Sequence, residues 1–82
     1  MYDERKVDDV VLALLHLNAF KDRHGWRAWK GHDWDALDRL HERGLIGNPK
    51  SKAKSVVLSD EGAAMAEELF NQHFSAPDSD ET

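Results

Sequence analysis

Between residues 32 and 41 the chain places His32, Asp33, Asp35, Asp38 and His41, side-chain types that bind zinc or manganese. Their spacing works against a shared ion. Asp38 and His41, three apart, share a helix face, but Asp33 and Asp35, two apart, point different ways. Helix capping accounts for Asp33 and the helix dipole for Asp35, so no metal and no cofactor are expected. Covalent catalysis is no better served. There is no cysteine. Ser51, Ser55 and Ser59 lie outside any nucleophile elbow, and Gly44 and Gly47 frame only Leu45-Ile46, which is no phosphate loop. A chain of 82 residues has too little core for a deep, water-excluding pocket. The expectation is a non-enzyme with no small-molecule substrate.

Binding chemistry is better represented. Lys50, Lys52 and Lys54 alternate, and Arg39 and Arg43 fall near the C-terminus of a helix-like segment. Arg27 and Lys30 interleave with Trp26 and Trp29. These seven cations would serve phosphate or an acidic protein partner. The three lysines also have a plainer use, keeping a hairpin tip solvated and unpaired. The tryptophans are either stacking platforms or core. Trp34 shares a face with Leu37 and Leu40 and is expected inside, whereas Trp26 and Trp29 fall on opposite sides of a strand, exposing one.

The net charge is −5, but it is unevenly spread. Residues 21–54 hold nine bases and five acids, and the rest two bases and eleven acids. The acidic opening His32-Asp33-Trp34-Asp35 disfavours reading of DNA bases by the helix it begins. Both a protein partner and a nucleic acid therefore remain in view.

The elements that must position these groups follow from periodicity. Val7, Val10, Val11, Leu14, Leu15 and Leu17 predict a helix from Asp3, its N-cap, to about Phe20. Its apolar stripe is wider than one modest core can cover. Val7, Val11 and Leu14, with Phe70 and Phe74, are therefore candidates for a homodimer or docking surface. One short strand is expected within Lys21 to His32, and a helix from Asp33 to Arg43, closed by Gly44. Leu45-Ile46-Gly47 and Ser55 to Leu58 are expected to pair as a hairpin with a basic tip over residues 48–54. A last helix starts at Ser59 and carries Ala63, Ala66, Leu69, Phe70 and Phe74.

Residues 75–82 (SAPDSDET) are acidic and poor in apolar groups, so a disordered tail is expected beyond a single domain of residues 1–74. The fold class is mostly helical α+β, in the order helix, short strand, helix, β-hairpin, helix. The longest apolar run, Val10 to Leu15, is far below the ~20 residues of a membrane span. With no signal-peptide pattern and no cysteine, a cytoplasmic location is expected.

This order, with Gly44-Leu45-Ile46 after the middle helix and Leu58-Ser59-Asp60-Glu61-Gly62 entering the last, resembles the winged-helix regulators of bacteria. The resemblance implies a wing hairpin, a terminal helix used for dimerisation, and nucleic-acid binding through the basic wing. A second resemblance covers residues 3 to 74. The strings AWKGHDWDALDRLHERGLI (Ala28 to Ile46) and PKSKAKSVVLSDEG (Pro49 to Gly62) look like a family of short bacterial proteins of unknown function. That resemblance implies a shared fold and carries no activity. Together they imply a winged-helix-like regulatory or interaction module acting through protein contacts, or alternatively a nucleic-acid-binding transcriptional regulator.

Overall fold

A computed structural model describes residues 1–23 and 25–76. Residues 77–82 lie outside them, and with them most of the expected acidic tail. The elements are α1 (Glu4–Leu17), β1 (Ala19–Asp22), β2 (Gly25–Trp29), α2 (Trp34–Glu42), β3 (Ser55–Val57) and α3 (Asp60–Phe74). They form a small α+β fold of three helices and one antiparallel sheet in the order β1-β2-β3.

Local chemistry explains the helix ends. The Asp3 carboxylate accepts from the Arg5 and Lys6 amides at 3.0 and 3.3 Å, capping α1. Asp33 does the same for α2 through the Ala36 amide at 3.0 Å. The α2 C-terminus closes in a Schellman arrangement. Gly44 takes φ +76°, its amide donates to His41, and the Leu45 amide donates to Leu40. This turn drives Leu45 back into the core. The Leu45 carbonyl then accepts both the Ser59 amide (3.0 Å) and the Ser59 hydroxyl (3.2 Å), while Ser59 Oγ caps α3 by accepting from Gly62 N at 2.9 Å. Gly62 is required by this seat, because a Cβ there would lie 1.9 Å from the Leu45 carbonyl oxygen.

Leu12, Leu15, Leu37, Leu40, Leu45 and Val56 are fully buried and, with Ala28, Ala36 and Ala66, join all three helices to the sheet. Asp8 is the one buried carboxylate among the described residues. It receives Arg39 bidentately, with both nitrogens at 2.8 Å, and Glu4 adds a third contact at 3.4 Å. The Asp8 hydrogen bond, above all, pushes the Arg39 guanidinium still further above its already high pKa. This pair ties α1 to α2.

Four expectations need correction. The first helix stops at Leu17 rather than near Phe20, because Ala19 and Phe20 pair with Ala28 and Arg27 as strand β1. The single strand expected before α2 is therefore a hairpin. The expected hairpin of Leu45-Ile46-Gly47 with Ser55 to Leu58 forms only in part. Leu45-Ile46-Gly47 pairs antiparallel with residues 57–59 through the Ile46–Leu58 bridge and hydrogen bonds from Gly47 N to Val57 O and from Ser59 N to Leu45 O, but it is too short to form a strand of the sheet, in which β3 pairs with β2. Trp34 is 52% exposed rather than core, since the α2 face turned inward carries Ala36, Leu37 and Leu40.

Candidate functional site

The sheet sorts its side chains by the two-residue alternation of extended chain. Ala19, Ala28 and Val56 face the helices and belong to the core. The cross-strand row Phe20, Arg27 and Val57, with Trp29 and Ser55 one step along, faces the other way. That side is open only in part: Trp29 and Val57 are exposed, Phe20 and Arg27 are half-buried and Ser55 is buried. Trp29 is 53% and Val57 41% exposed, and the Phe20 and Trp29 rings meet at 4.9 Å between centroids, tilted by 35°. Arg27 is held flat on this face, donating from Nε to Ser55 Oγ (2.8 Å) and from Nη2 to the Ser55 carbonyl (3.0 Å). Its guanidinium forms no ion pair with a carboxylate among the described residues.

A loop of residues 48–54 continues from the β3 end of the sheet. Lys30 fixes it. Its ammonium donates to the Pro49 and Ser51 carbonyls, each at 2.7 Å, and its amide donates to the Lys54 carbonyl at 3.3 Å. Pro49, near the start of the loop, is buried. The alternating lysines of the tip do not lie on a strand, because strand geometry begins only at Ser55. Lys50, Lys52 and Lys54 are all exposed, and Lys50 lies 3.9 Å from Asp38 of α2.

The seven candidate cations are therefore not equivalent. Arg39 is committed to Asp8 and Glu4, and Lys30 to loop carbonyls. Arg43 donates to the Met65 sulfur at 3.8 Å, and its Nη1 is buried without a partner among the described residues. Lys50 faces a carboxylate. Arg27, Lys52 and Lys54 remain without one. Of the candidate docking residues on the helices, Val11 is buried in the chain's own core and Val7 packs against it. Leu14 and Phe70 are half-buried and Phe74 is exposed, Phe70 touching both His16 and Phe74.

The other two tryptophans carry lysines on their rings. Lys21 Nζ lies 5.9 Å from the Trp26 ring centroid, and Lys30 Nζ 5.9 Å from that of Trp34. Trp26 also walls a groove of about 370 Å³ between His16, Leu58 and Glu67. The His and Asp residues around α2 have separate employments. Asp33 caps, Asp38 meets Lys50, and the His41 Nδ1 is 3.1 Å from the Ile46 carbonyl oxygen. His32 is half-buried, and desolvation holds its imidazole below the usual histidine pKa.

Phe20 and Val57 escaped the sequence reading. Their signal is present but faint. Phe20, Arg27, Trp29 and Val57 line up only once β1 is recognised as a strand, and the apparent helical continuation from Leu17 hides it. No helix among the described residues is long and apolar enough to cross a membrane.

Comparison with known proteins agrees with the second resemblance. No solved structure matches the chain. An uncharacterised protein, y4hR, from Sinorhizobium fredii (strain NBRC 101917 / NGR234) is 57% identical over 72 residues, covering 88% of this chain and 93% of its own length. The model of a family described as domain of unknown function (DUF6429) matches residues 3–76, and to that family this chain belongs.

Proposed function

We propose that the chain is a non-enzymatic regulatory or interaction module of the cytoplasm that works through protein–protein contacts on the open face of its sheet. The exposed Trp29 and Val57, with the half-buried Phe20 against the Trp29 ring, carry this reading. Large apolar side chains gathered on one face, with an arginine held among them, have the composition of an interface centre. The order α2, Gly44-Leu45-Ile46, basic loop, β3, α3, with the Ile46–Leu58 bridge, supports an abridged winged-helix-like frame. In it the β1–β2 hairpin occupies the chain position of the usual positioning helix.

The test is capture from the native host with wild type and Trp29→Ser as bait, with and without nuclease. A specific protein retained by wild type, lost with Trp29→Ser and indifferent to nuclease is the expected result. Equal retention by a folded Trp29→Ser variant would remove the sheet face from the function.

Nucleic-acid binding is the second reading, favoured by the exposed Lys52 and Lys54. Against it stands Asp38, which lies beside Lys50 and brings negative charge to the surface that would meet phosphate. Retention that disappears on nuclease treatment would favour it. A homodimer through Leu14, Phe70 and Phe74 would show as a concentration-dependent mass in sedimentation.

A further inference from the structure

The sheet that carries the exposed aromatics, with the loop beside it, is the basic region of an acidic protein, and Arg27 is the cation that shares a face with Phe20, Trp29 and Val57. Residues 19–30 and 50–57, which make up the sheet and the loop beside it, hold seven bases and one acid, Asp22. The remaining four bases share the rest of the chain with fifteen acids. Arg27 on the open face, and Lys52 and Lys54 on the loop, have no carboxylate partner among the described residues. Lys30 holds the loop in place through two carbonyl contacts, so those lysines are presented from an ordered support.

Resting on the interaction reading above, we propose that this region binds an extended acidic segment of a partner protein, its apolar side chains set on Phe20, Trp29 and Val57 and its carboxylates toward Arg27, Lys52 and Lys54. Charge complementarity selects the sign of the partner, and steers its approach to this face rather than to the acidic helices. It also disfavours a symmetric pair of copies, which would bring two basic faces together.

The rings favour a peptide over a nucleic acid. A single strand needs free aromatic faces on which successive bases can stack. Here Phe20 and Trp29 lean on one another, and Trp26 and Trp34 each already carry a lysine of the chain. A polyanion of even charge would also run past Asp38, and beyond it into the acidic remainder of the molecule. Short carboxylate-bearing peptides can confine their charge to the basic region.

Panning a library of random peptides on the immobilised full chain tests this. Enriched peptides should carry Asp or Glu in excess beside aromatic or aliphatic residues. A synthetic representative should bind Trp29→Ala, and separately the Lys52→Glu, Lys54→Glu double variant, roughly tenfold or more weakly than wild type. Unchanged circular-dichroism melting curves establish that the variants fold, and Val57→Ser replaces Trp29→Ala if that one melts early.

Neutral or basic peptides that are still lost with Trp29→Ala would overturn the acidic chemistry while leaving the sheet face as the interface. Acidic peptides indifferent to Trp29→Ala would place binding elsewhere and overturn the proposal. No enrichment over bare matrix would sink both the proposal and the reading beneath it. Oligothymidylate that binds more tightly than the peptides and displaces them would replace the protein segment by nucleic acid. A salt-sensitive dimer abolished by the charge reversals would make the occupant a second copy.

Discussion

Replacing Gly62 by alanine should destabilise the protein, although the same change in an ordinary helix stabilises it by about 0.5–1 kcal/mol. The reason is the seat of α3 on the Leu45 carbonyl. The added Cβ would meet that oxygen at 1.9 Å and the carbonyl carbon at 2.8 Å. Comfortable carbon–oxygen contact begins near ~3.3 Å, so the two backbones must part by roughly 1.4 Å. The obstruction is main chain, with no flexible side chain to swing aside. That displacement breaks the two hydrogen bonds from Ser59 to Leu45, now 3.0 and 3.2 Å. Each contributes about 1 kcal/mol, and the overpacking strain adds about 1–3 kcal/mol. Less the helix-propensity gain, the net loss is about 2–4 kcal/mol. For a domain of this size it lowers Tm by about 8–32 °C, at roughly 4–8 °C per kcal/mol. Urea unfolding followed by circular dichroism is the assay, with Ala64→Gly as the control. Ala64 is exposed in the same helix, so its change reports propensity alone, a loss of about 1 kcal/mol. A Gly62→Ala protein as stable as wild type, or more so, would refute the close seat of α3 on Leu45.

Leu40→Ala should cost about 2–5 kcal/mol in the same assay, because Leu40 is fully buried between α2 and the rest of the core; an unchanged midpoint would mean α2 is rotated. His32 is held below the usual histidine pKa by burial, so between its folded value and about 6.5 the unfolded chain binds more protons than the folded one. Stability should therefore fall as pH drops through that window and level off below it, and His32→Gln should flatten the curve; an identical slope in the variant would dismiss His32 as its source. Lys30→Met removes the two contacts that hold the basic loop, and tryptic cleavage after Lys50, Lys52 and Lys54 should accelerate while the core keeps its melting point. An unchanged cleavage rate would show that Pro49 alone anchors the loop. Asp8→Ala leaves Arg39 without its buried partner and should lower the unfolding midpoint, whereas Lys52→Gln should not move it.

What the sequence determined by itself is what depends on neighbours within a few residues. Asp3, Asp33 and Ser59 act as helix caps, Gly44 takes the left-handed turn, and α2 and α3 begin and end within a residue or so of their signals. These are contacts across two to five positions, so residue type and spacing suffice. Family resemblance was legible for the same reason, since it rests on contiguous strings of residues. Tertiary structure decided everything that needed partners far apart in the chain. Phe20 reads as the end of a helix until Arg27 and Val57 pair beside it in a sheet. Arg39 reads as a free surface cation until Asp8, thirty-one positions away, is found buried beneath it. Trp34 shares helical spacing with Leu37 and Leu40, yet lies outside, because a nine-residue helix turns only a narrow stripe to the core and Ala36, Leu37 and Leu40 make up that stripe. Pattern gives the phase of a helix, but which edge of its apolar arc is covered depends on what packs there. The open face of the sheet is of this kind: every residue on it was visible, and only strand pairing brought them together.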